Sequence, residues 1–398
     1  MLSEQVLAMT KQKSVIREIF EYGMGRRKVV GDENVFDFSI GNPSVPAPKT
    51  VEKAMYELME EEDAVSRHGY APNAGIPAVR ETIAQSLNSK YGMDYTANNI
   101  FMTNGAAASL GILFKVLTNG GDDEIITFAP FFPEYQAYAI AAGIHLEVIP
   151  ADVSSFQINF DILEEKISAN TKAVLINSPN NPSGVVYSKE TIERLAKLLD
   201  EKQKEYGHAI YLISDEPYRE IVYDGFEVSY VPHFYDNTLV CYSYSKSLSL
   251  PGERIGYIAF TNKIEDADIM MGALTQAARL LSYVCVPSMF QKVVAKCVDE
   301  TADLSVYAEN KKMFYNALTE MGYECVEPGG AFYLFPKALE EDAEAFCERA
   351  RKYDLLLVPS DSFGCPGHVR ICYCVDPDMI KRSLPLFKKL IEEYKGEN

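Results

Sequence analysis

The segment that decides the fold lies between residues 172 and 215, and its sequence is KAVLINSPNNPSGVVYSKETIERLAKLLDEKQKEYGHAIYLISD. The apolar run 172–176 predicts a strand, the amphipathic stretch 188–206 predicts a helix, and the apolar run 210–214 predicts a second strand. Two buried strands joined by a helix favour a parallel pair, since a parallel connection has to cross back over the sheet. This unit therefore predicts an α/β fold.

The same alternation continues on both sides of this unit. Further strands are predicted at 124–128, 145–149, 239–243 and 255–260, and further helices at 106–117, 134–142 and 161–168. Continuously apolar strands separated by helices indicate a mostly parallel sheet that is flanked by helices on both faces. We expect this large domain to span about residues 45–290.

The two ends of the chain have a different pattern. After residue 290 the predicted elements are helices at 302–320 and 377–395 and short strands near 331–335 and 369–374. They indicate a smaller α+β domain at 291–398. Residues 1–44 contain one helix-like piece, and we expect this segment to pack on the small domain.

Composition excludes several classes of protein. The 398 residues include 38 Lys+Arg and 57 Asp+Glu, a net charge of −19, so the chain lacks the general basic surface that nucleic acid or an anionic membrane requires. The sequence has no apolar run of the ~18 residues that a membrane helix needs, and its N-terminal stretch MLSEQVLAMTKQKSVIREIF lacks a secretory signal. Eight scattered Cys without a CxxC pair predict reduced thiols, no metal site and a cytoplasmic location.

Unusual polar residues stand where two of the predicted strands stop, at the sheet edge where open α/β folds bind ligands. Asp215 ends an apolar run, and a buried carboxylate is costly without a partner. The loop 177–184, NSPNNPSG, is made rigid by two prolines and offers amides to a ligand. A helix N-cap remains the alternative for Asp215, and an ordinary turn the alternative for the loop.

Two further segments favour a phosphate ligand. In 243–256, SYSKSLSLPGERIG, serine hydroxyls and Arg254 suit a phosphate monoester, and Lys246 could form a Schiff base if its pKa is lowered. In 103–108, TNGAAA, small residues open a helix whose N–H groups attract an anion. A solvated lysine and a plain helix start are the alternatives. Taken together, the four segments predict pyridoxal phosphate chemistry.

Eight motifs then occur in the order of one family: IGNP, GYAPNAGIPAVR, TNGA, APFFPEY, NSPNNPSG, SDEPY, SYSKSLSLPGERIGY and GHVRIC. From about Phe36 to about Cys374 the chain resembles the class I/II aminotransferases, which are fold-type I pyridoxal-phosphate enzymes with the aspartate aminotransferase fold. The resemblance implies a large cofactor domain and a smaller domain.

The resemblance also implies roles at the reactive end of the cofactor. Lys246 would form the Schiff base and move the proton between the substrate Cα and the cofactor. Asp215 would pair with the protonated pyridine nitrogen. Tyr218 and Asn181 would bond the phenolic oxygen of the ring.

At the other end of the cofactor, the resemblance implies a phosphate cup made by Ala106 and Ala107 through their backbone N–H groups, together with Ser243 and Arg254. Phe132 would stack on the pyridine ring at a position where many relatives have tryptophan, a residue that this chain lacks.

For the substrate and the neighbouring subunit, the resemblance implies three further contacts. Arg370 would clamp the substrate α-carboxylate as a bidentate fork, and Gly41 and Asn181 would contribute there. Tyr70 would reach the phosphate in the neighbouring subunit, which makes the active unit a homodimer.

The sequence leaves the substrate side chain open. Dicarboxylate-specific relatives use a second cation, whereas an apolar or aromatic pocket would suit other donors. The candidates are, for a cation, Arg279, Arg67 and Lys115, and, for a pocket wall, Phe20, Tyr22 and Met24.

The expected function is therefore transfer of the amino group of an L-amino acid, either aspartate or an aromatic or neutral one, to a 2-oxo acid such as 2-oxoglutarate by a ping-pong reaction. A pyridoxal-phosphate-dependent C–S lyase of the cystathionine β-lyase type is the alternative on the same scaffold. A cofactor-binding transcription regulator is disfavoured, because only about 35 residues precede the fold and the charge is −19.

Overall fold

The computed structural model of the chain describes residues 2–10 and 15–396. The helices are α1 Glu4–Thr10, α2 Val15–Val30, α3 Lys49–Glu61, α4 Ala64–His68, α5 Pro77–Tyr91, α6 Ala106–Val116, α7 Glu134–Ala142, α8 Phe160–Lys166, α9 Lys189–Tyr206, α10 Tyr244–Ser247, α11 Ala267–Leu280, α12 Ser288–Lys296, α13 Ser305–Met321, α14 Ala343–Ala350 and α15 Pro377–Lys395. The strands are β1 Phe36–Asp37, β2 Ile100–Thr103, β3 Glu124–Phe128, β4 His145–Ile149, β5 Thr171–Asn177, β6 Tyr211–Asp215, β7 Thr238–Ser243, β8 Gly256–Phe260, β9 Tyr333–Leu334, β10 Leu355–Leu356, β11 Val358–Pro359 and β12 Val369–Cys372.

A seven-stranded sheet forms the centre of the molecule, with strand order β2-β8-β7-β6-β5-β3-β4. Neighbours from β7 to β4 are parallel, and β8 runs antiparallel to both β7 and β2. Helices α6, α7 and α11 pack on one face, and α5, α8, α9 and α12 pack on the other. This confirms the predicted α/β class with a mostly parallel sheet.

Helix α9 shows how the local sequence specifies these elements. The Oγ of Ser188 accepts a hydrogen bond from the N–H of Thr191, and Gly207 ends the helix at φ +73°. Between the two caps, a stripe that includes Leu195 and Leu199 is buried against the sheet. Burial of each leucine stabilises the fold by ~2 kcal/mol. The amphipathic pattern of this stretch therefore determines which face of α9 packs against the sheet.

A second core joins the two ends of the chain. The three-stranded antiparallel sheet β11-β12-β9 lies beside α13, α14 and α15, and β1 pairs in parallel with β10. Phe38, just after β1, packs with its ring 5.1 Å from that of Phe314. We propose that this core is the small domain formed by 1–44 and 291–398, with 45–290 as the large domain.

The N-terminal segment and the first strand of the large sheet are among the parts that differ from the sequence expectation. The N-terminal segment contains two helices, α1 and α2, where one helix-like piece was predicted, because the side chains described in α1 are exposed and form no buried stripe. The strand β2 was not predicted, since its four residues are buried on both faces and too few to show a period. Within the described residues, no helix is long and apolar enough to cross a membrane.

Candidate active site

A cavity of about 340 Å³ lies at the carboxyl ends of the parallel strands. Segments from the large sheet, the small sheet and the N-terminal part of the chain all contribute to its wall. The lining residues are Ile16, Ile40, Gly41, Ala106, Ala107, Leu110, Phe132, Asn177, Asn181, Asp215, Pro217, Tyr218, Ser243, Ser245, Lys246, Pro251, Arg254, Tyr333 and Arg370. The cavity therefore includes all the predicted site residues except Tyr70.

Asp215 is the last residue of β6 and is buried. Its Oδ2 accepts a hydrogen bond from Tyr135 Oη at 2.6 Å, whereas its Oδ1 has no hydrogen-bond partner among the described residues. Burial raises the pKa of the carboxyl to about 7, although the bond from Tyr135 opposes that rise. The motif APFFPEY contains Tyr135, but no pattern in the sequence predicted that this tyrosine bonds Asp215.

Lys246 lies in the single-turn helix α10, directly after β7. Its Nζ donates a hydrogen bond to the carbonyl oxygen of Gly41 at 2.6 Å and lies 5.3 Å from the ring centre of Phe332. Burial lowers the pKa of this amine, and the positive charges of Arg254 and Arg370 act in the same direction. A lowered pKa increases the neutral, nucleophilic fraction of the lysine.

The N terminus of α6 and the loop after α10 form a site suited to an anion. Gly105 precedes α6 with φ +83°, and a Cβ at this position would lie 2.8 Å from Nη2 of Arg254. The Nη1 of Arg254 donates to the carbonyl of Pro251 at 2.9 Å. The Oγ atoms of Ser243 and Ser245 lie 2.7 Å apart. Helix N–H groups, hydroxyls and a guanidinium thus converge on one end of the cavity.

Arg370 comes from β12 in the small sheet and is buried. Its Nη1 donates to Oδ1 of Asn181 at 3.2 Å, and its Nη2 donates to the carbonyl of Ser39. The guanidinium carbon lies 5.0 Å from the ring centre of Tyr333 and 5.2 Å from that of Phe363. These contacts hold a planar fork at the cavity wall, where it can accept a carboxylate.

Aromatic side chains complete the wall around these charges. The hydroxyl of Tyr218 lies 2.9 Å from that of Tyr333, and burial raises the pKa of both phenols. The half-buried ring of Phe132 lies 5.8 Å from that of Tyr135, nearly perpendicular to it. The sequence did not predict Tyr333 as a site residue. The stretch GGAFYLF that contains it predicts only a short strand.

Tyr70 and the specificity candidates lie outside this cavity. Tyr70 is 98% exposed. Arg67 donates to the backbone carbonyls of Leu58, Met59 and Glu62, which is a structural role. Arg279 is exposed, and its Nη1 donates to Oε1 of Gln276. The other candidates also lie outside the wall: Lys115 and Phe20 are half-buried, and Tyr22 and Met24 are exposed. Ile16, on the same helix as the last three, does line the cavity.

Comparison with known proteins places this geometry in a family. The sequence model of the family described as "Aminotransferase class I and II" matches residues 33–384. The aspartate aminotransferase of Thermotoga maritima is 32% identical over 358 residues, which cover 88% of this chain and 90% of the relative.

Solved structures agree in fold over nearly all of the chain. An aminotransferase from Eubacterium rectale has 53% identity and a TM-score of 0.96, with 99% of each chain covered. The Thermus thermophilus aspartate aminotransferase determined with maleate has 25% identity and a TM-score of 0.85, with 98% of this chain and 99% of that chain covered. The chain therefore belongs to the class I and II aminotransferase family, whose members generally depend on pyridoxal phosphate.

Proposed function

We propose that this aminotransferase uses pyridoxal 5'-phosphate to move the amino group of an L-amino acid to 2-oxoglutarate in a ping-pong reaction. One observation carries the proposal: a single cavity holds an amine, a buried carboxylate with one oxygen that lacks a hydrogen-bond partner among the described residues, and two guanidinium groups. These are Lys246, Asp215, Arg254 and Arg370.

The chemistry of the lining residues fits this cofactor. The Oδ1 of Asp215 lacks a hydrogen-bond partner among the described residues, and a protonated pyridine nitrogen is the kind of donor that it needs. The backbone of Ala106 and Ala107, the hydroxyl of Ser243 and the guanidinium of Arg254 supply donors for a phosphate. Phe132 supplies an apolar face for the ring.

When bound, the cofactor withdraws electrons from the substrate and so acidifies its Cα proton. Lys246 Nζ would hold the cofactor between turnovers and then carry that proton, a task helped by its lowered pKa. Asp215 would keep the ring nitrogen protonated. Tyr218 and Asn181 would hold the phenolic oxygen by hydrogen bonds.

The substrate α-carboxylate would bind to Arg370. The Nε of this arginine is a donor that has no hydrogen-bond partner among the described residues. Gly41 and Asn181 border the same part of the cavity. A bidentate fork fixes the orientation of the bound amino acid, and this orientation presents its Cα to Lys246.

For the amino donor we propose aspartate or an aromatic or neutral amino acid. The name of the Thermotoga relative and the maleate in the Thermus structure support aspartate. The apolar residues Ile16, Ile40 and Leu110 in the cavity wall support a neutral or aromatic side chain. A panel of donors against 2-oxoglutarate, ranked by kcat/KM, decides between them.

We also propose that the active unit is a homodimer in which Tyr70 reaches the phosphate in the neighbouring subunit. The support is its near-complete exposure within one chain and the apolar residues exposed in nearby segments, including Val65 and Val284. The Nδ2 of Asn73 donates to the carbonyl of Val284, which ties two of these segments together. A cytoplasmic location is supported by eight cysteines that are all free.

A single-turnover experiment tests the proposed reaction. Holoenzyme is mixed with an amino donor alone, and the visible absorbance and the 2-oxo acid are followed. We expect one equivalent of 2-oxo acid per site and a stable absorbance change that 2-oxoglutarate reverses. Lys246→Ala should give neither change. Ammonia and pyruvate formed over many turnovers, with no 2-oxo acid added, would instead indicate the C–S lyase.

A further inference from the structure

Tyr333 contacts three of the predicted site residues at once. It lies on β9 of the small sheet, is buried and lines the cavity. Its hydroxyl is 2.9 Å from that of Tyr218, which follows β6 of the large sheet. Its ring lies under the guanidinium of Arg370, and a Cβ at Gly41 would come within 2.2 Å of its hydroxyl. The side chain is therefore held in place from several sides.

The hydrogen bond between these two hydroxyls can form with either one as the donor. Each phenol carries one proton, and either oxygen of Tyr218 and Tyr333 could be the donor in the bond between them. Burial raises the pKa of both groups, so both keep their protons over the working pH range. When Tyr333 donates, the proton of Tyr218 is available to a second acceptor in the cavity.

We propose that Tyr333 is a positioning residue whose hydroxyl donates to Tyr218 Oη and thereby directs the proton of Tyr218 to the phenolic oxygen of the bound cofactor. This inference rests on the proposed function, because it needs a phenolic oxygen beside Tyr218. Tyr333 itself acts only through Tyr218 in this arrangement.

The arrangement has a spectroscopic consequence. A hydroxyl that accepts one hydrogen bond becomes a stronger donor for another, so Tyr333 strengthens the bond from Tyr218. A stronger donor stabilises the ionised phenolic oxygen and lowers the pH at which the visible absorbance of the holoenzyme titrates. Loss of the Tyr333 hydroxyl should therefore raise this midpoint.

The variant Tyr333→Phe tests the hydroxyl alone, because it keeps the ring that packs under Arg370. We expect the absorbance midpoint of the holoenzyme to rise by about 0.5 to 1 pH unit, roughly a three- to tenfold change in the acid constant and the size expected for one neutral hydrogen bond. Tyr218→Phe should raise the midpoint by at least as much. Adding Tyr333→Phe to Tyr218→Phe should cause no further rise.

Tyr95→Phe is the matched control, since Tyr95 and Tyr230 form another buried pair of hydroxyls, 3.0 Å apart, whose residues do not line the cavity. Its midpoint should equal that of the wild type. An unchanged midpoint in Tyr333→Phe or in Tyr218→Phe overturns the inference. It is also overturned if Tyr333→Phe shifts the midpoint equally in the wild type and in Tyr218→Phe. A wild-type chain that acquires no visible absorbance with pyridoxal phosphate would overturn the proposed function itself.

Discussion

Asp215 is buried and one of its oxygens has no hydrogen-bond partner among the described residues, which destabilises the cofactor-free chain. Its pKa rises from 3.8 to about 7 on burial. A raised pKa in the folded state means that the contribution of this group to stability is fully present below pH 3.8 and is lost as the pH rises through 7.

Asp215→Asn should therefore stabilise the cofactor-free chain at pH 8, by up to about 4 kcal/mol, because the amide carries no charge to bury. This gain should shrink as the pH falls to 5. Urea unfolding of both chains without cofactor, at pH 5 and pH 8, measures the difference. A gain of equal size at both values would assign the effect to packing and not to ionisation.

Arg370 offers a prediction about substrate rather than stability. Arg370→Ala should weaken the binding of both the amino donor and the 2-oxo acid by about 2–5 kcal/mol, as expected when one partner of a desolvated charge pair is lost. Steady-state kcat/KM for each substrate measures this loss, and the visible absorbance of bound cofactor should persist. Arg382→Ala, at an exposed arginine on α15, is the control and should leave both values unchanged.

At the scale of elements, the N terminus of α6 depends on a glycine for two separate reasons. Gly105 has φ +83°, which favours glycine, and a Cβ there would collide with the guanidinium of Arg254. Gly120 has the same φ of +83° but open space around its Cβ position. Gly120 therefore serves as a control for a glycine with positive φ whose substitution does not displace Arg254.

Gly105→Ala should cost about 1–3 kcal/mol in backbone strain, because φ +83° with ψ 170° is a conformation that essentially only glycine adopts. Gly120→Ala should also strain the backbone, because φ is positive there as well. Only Gly105→Ala should also weaken the binding of pyridoxal phosphate, at least about tenfold, since one charge-assisted hydrogen bond contributes ~1.5–3 kcal/mol. Equilibrium titration of the cofactor-free variants by absorbance gives the two dissociation constants. Equal dissociation constants for the two variants would contradict the binding of the phosphate by Arg254.

At the scale of the whole molecule, the proposed homodimer makes cofactor affinity depend on assembly. Tyr70→Phe should raise the dissociation constant for pyridoxal phosphate by roughly 10- to 100-fold, because it removes a hydrogen bond to a charged phosphate. Tyr56→Phe is the control, since this tyrosine is 71% exposed but lies on α3, outside the GYAP motif. Dilution of the wild type below its dimer dissociation constant, with its oligomeric state checked by light scattering, should lower its affinity for pyridoxal phosphate. A wild-type chain that is monomeric before dilution and binds the cofactor with unchanged affinity would contradict the proposed homodimer.

Much of the site could be predicted because its chemistry follows strand ends in the sequence. Asp215 is the last residue of β6 and Lys246 lies in the turn of helix after β7, and these two strands are adjacent and parallel. The partners that tune these groups could not be predicted in the same way. Tyr135 is 80 positions from Asp215, and Tyr333 is 115 positions from Tyr218, so no local pattern links them.

The sequence by itself determined the α/β class, the sheet edge that carries the chemistry and the identity of the charged residues, because periodicity and motif spacing are local properties. The family resemblance implied that Arg370 and Gly41 act together with Lys246, and only the tertiary structure decided how the small sheet and the N-terminal segment bring them to one cavity. It also decided that Asp215 keeps one oxygen unpaired. These features depend on burial and on contacts between segments that are far apart in the sequence, which no local pattern specifies.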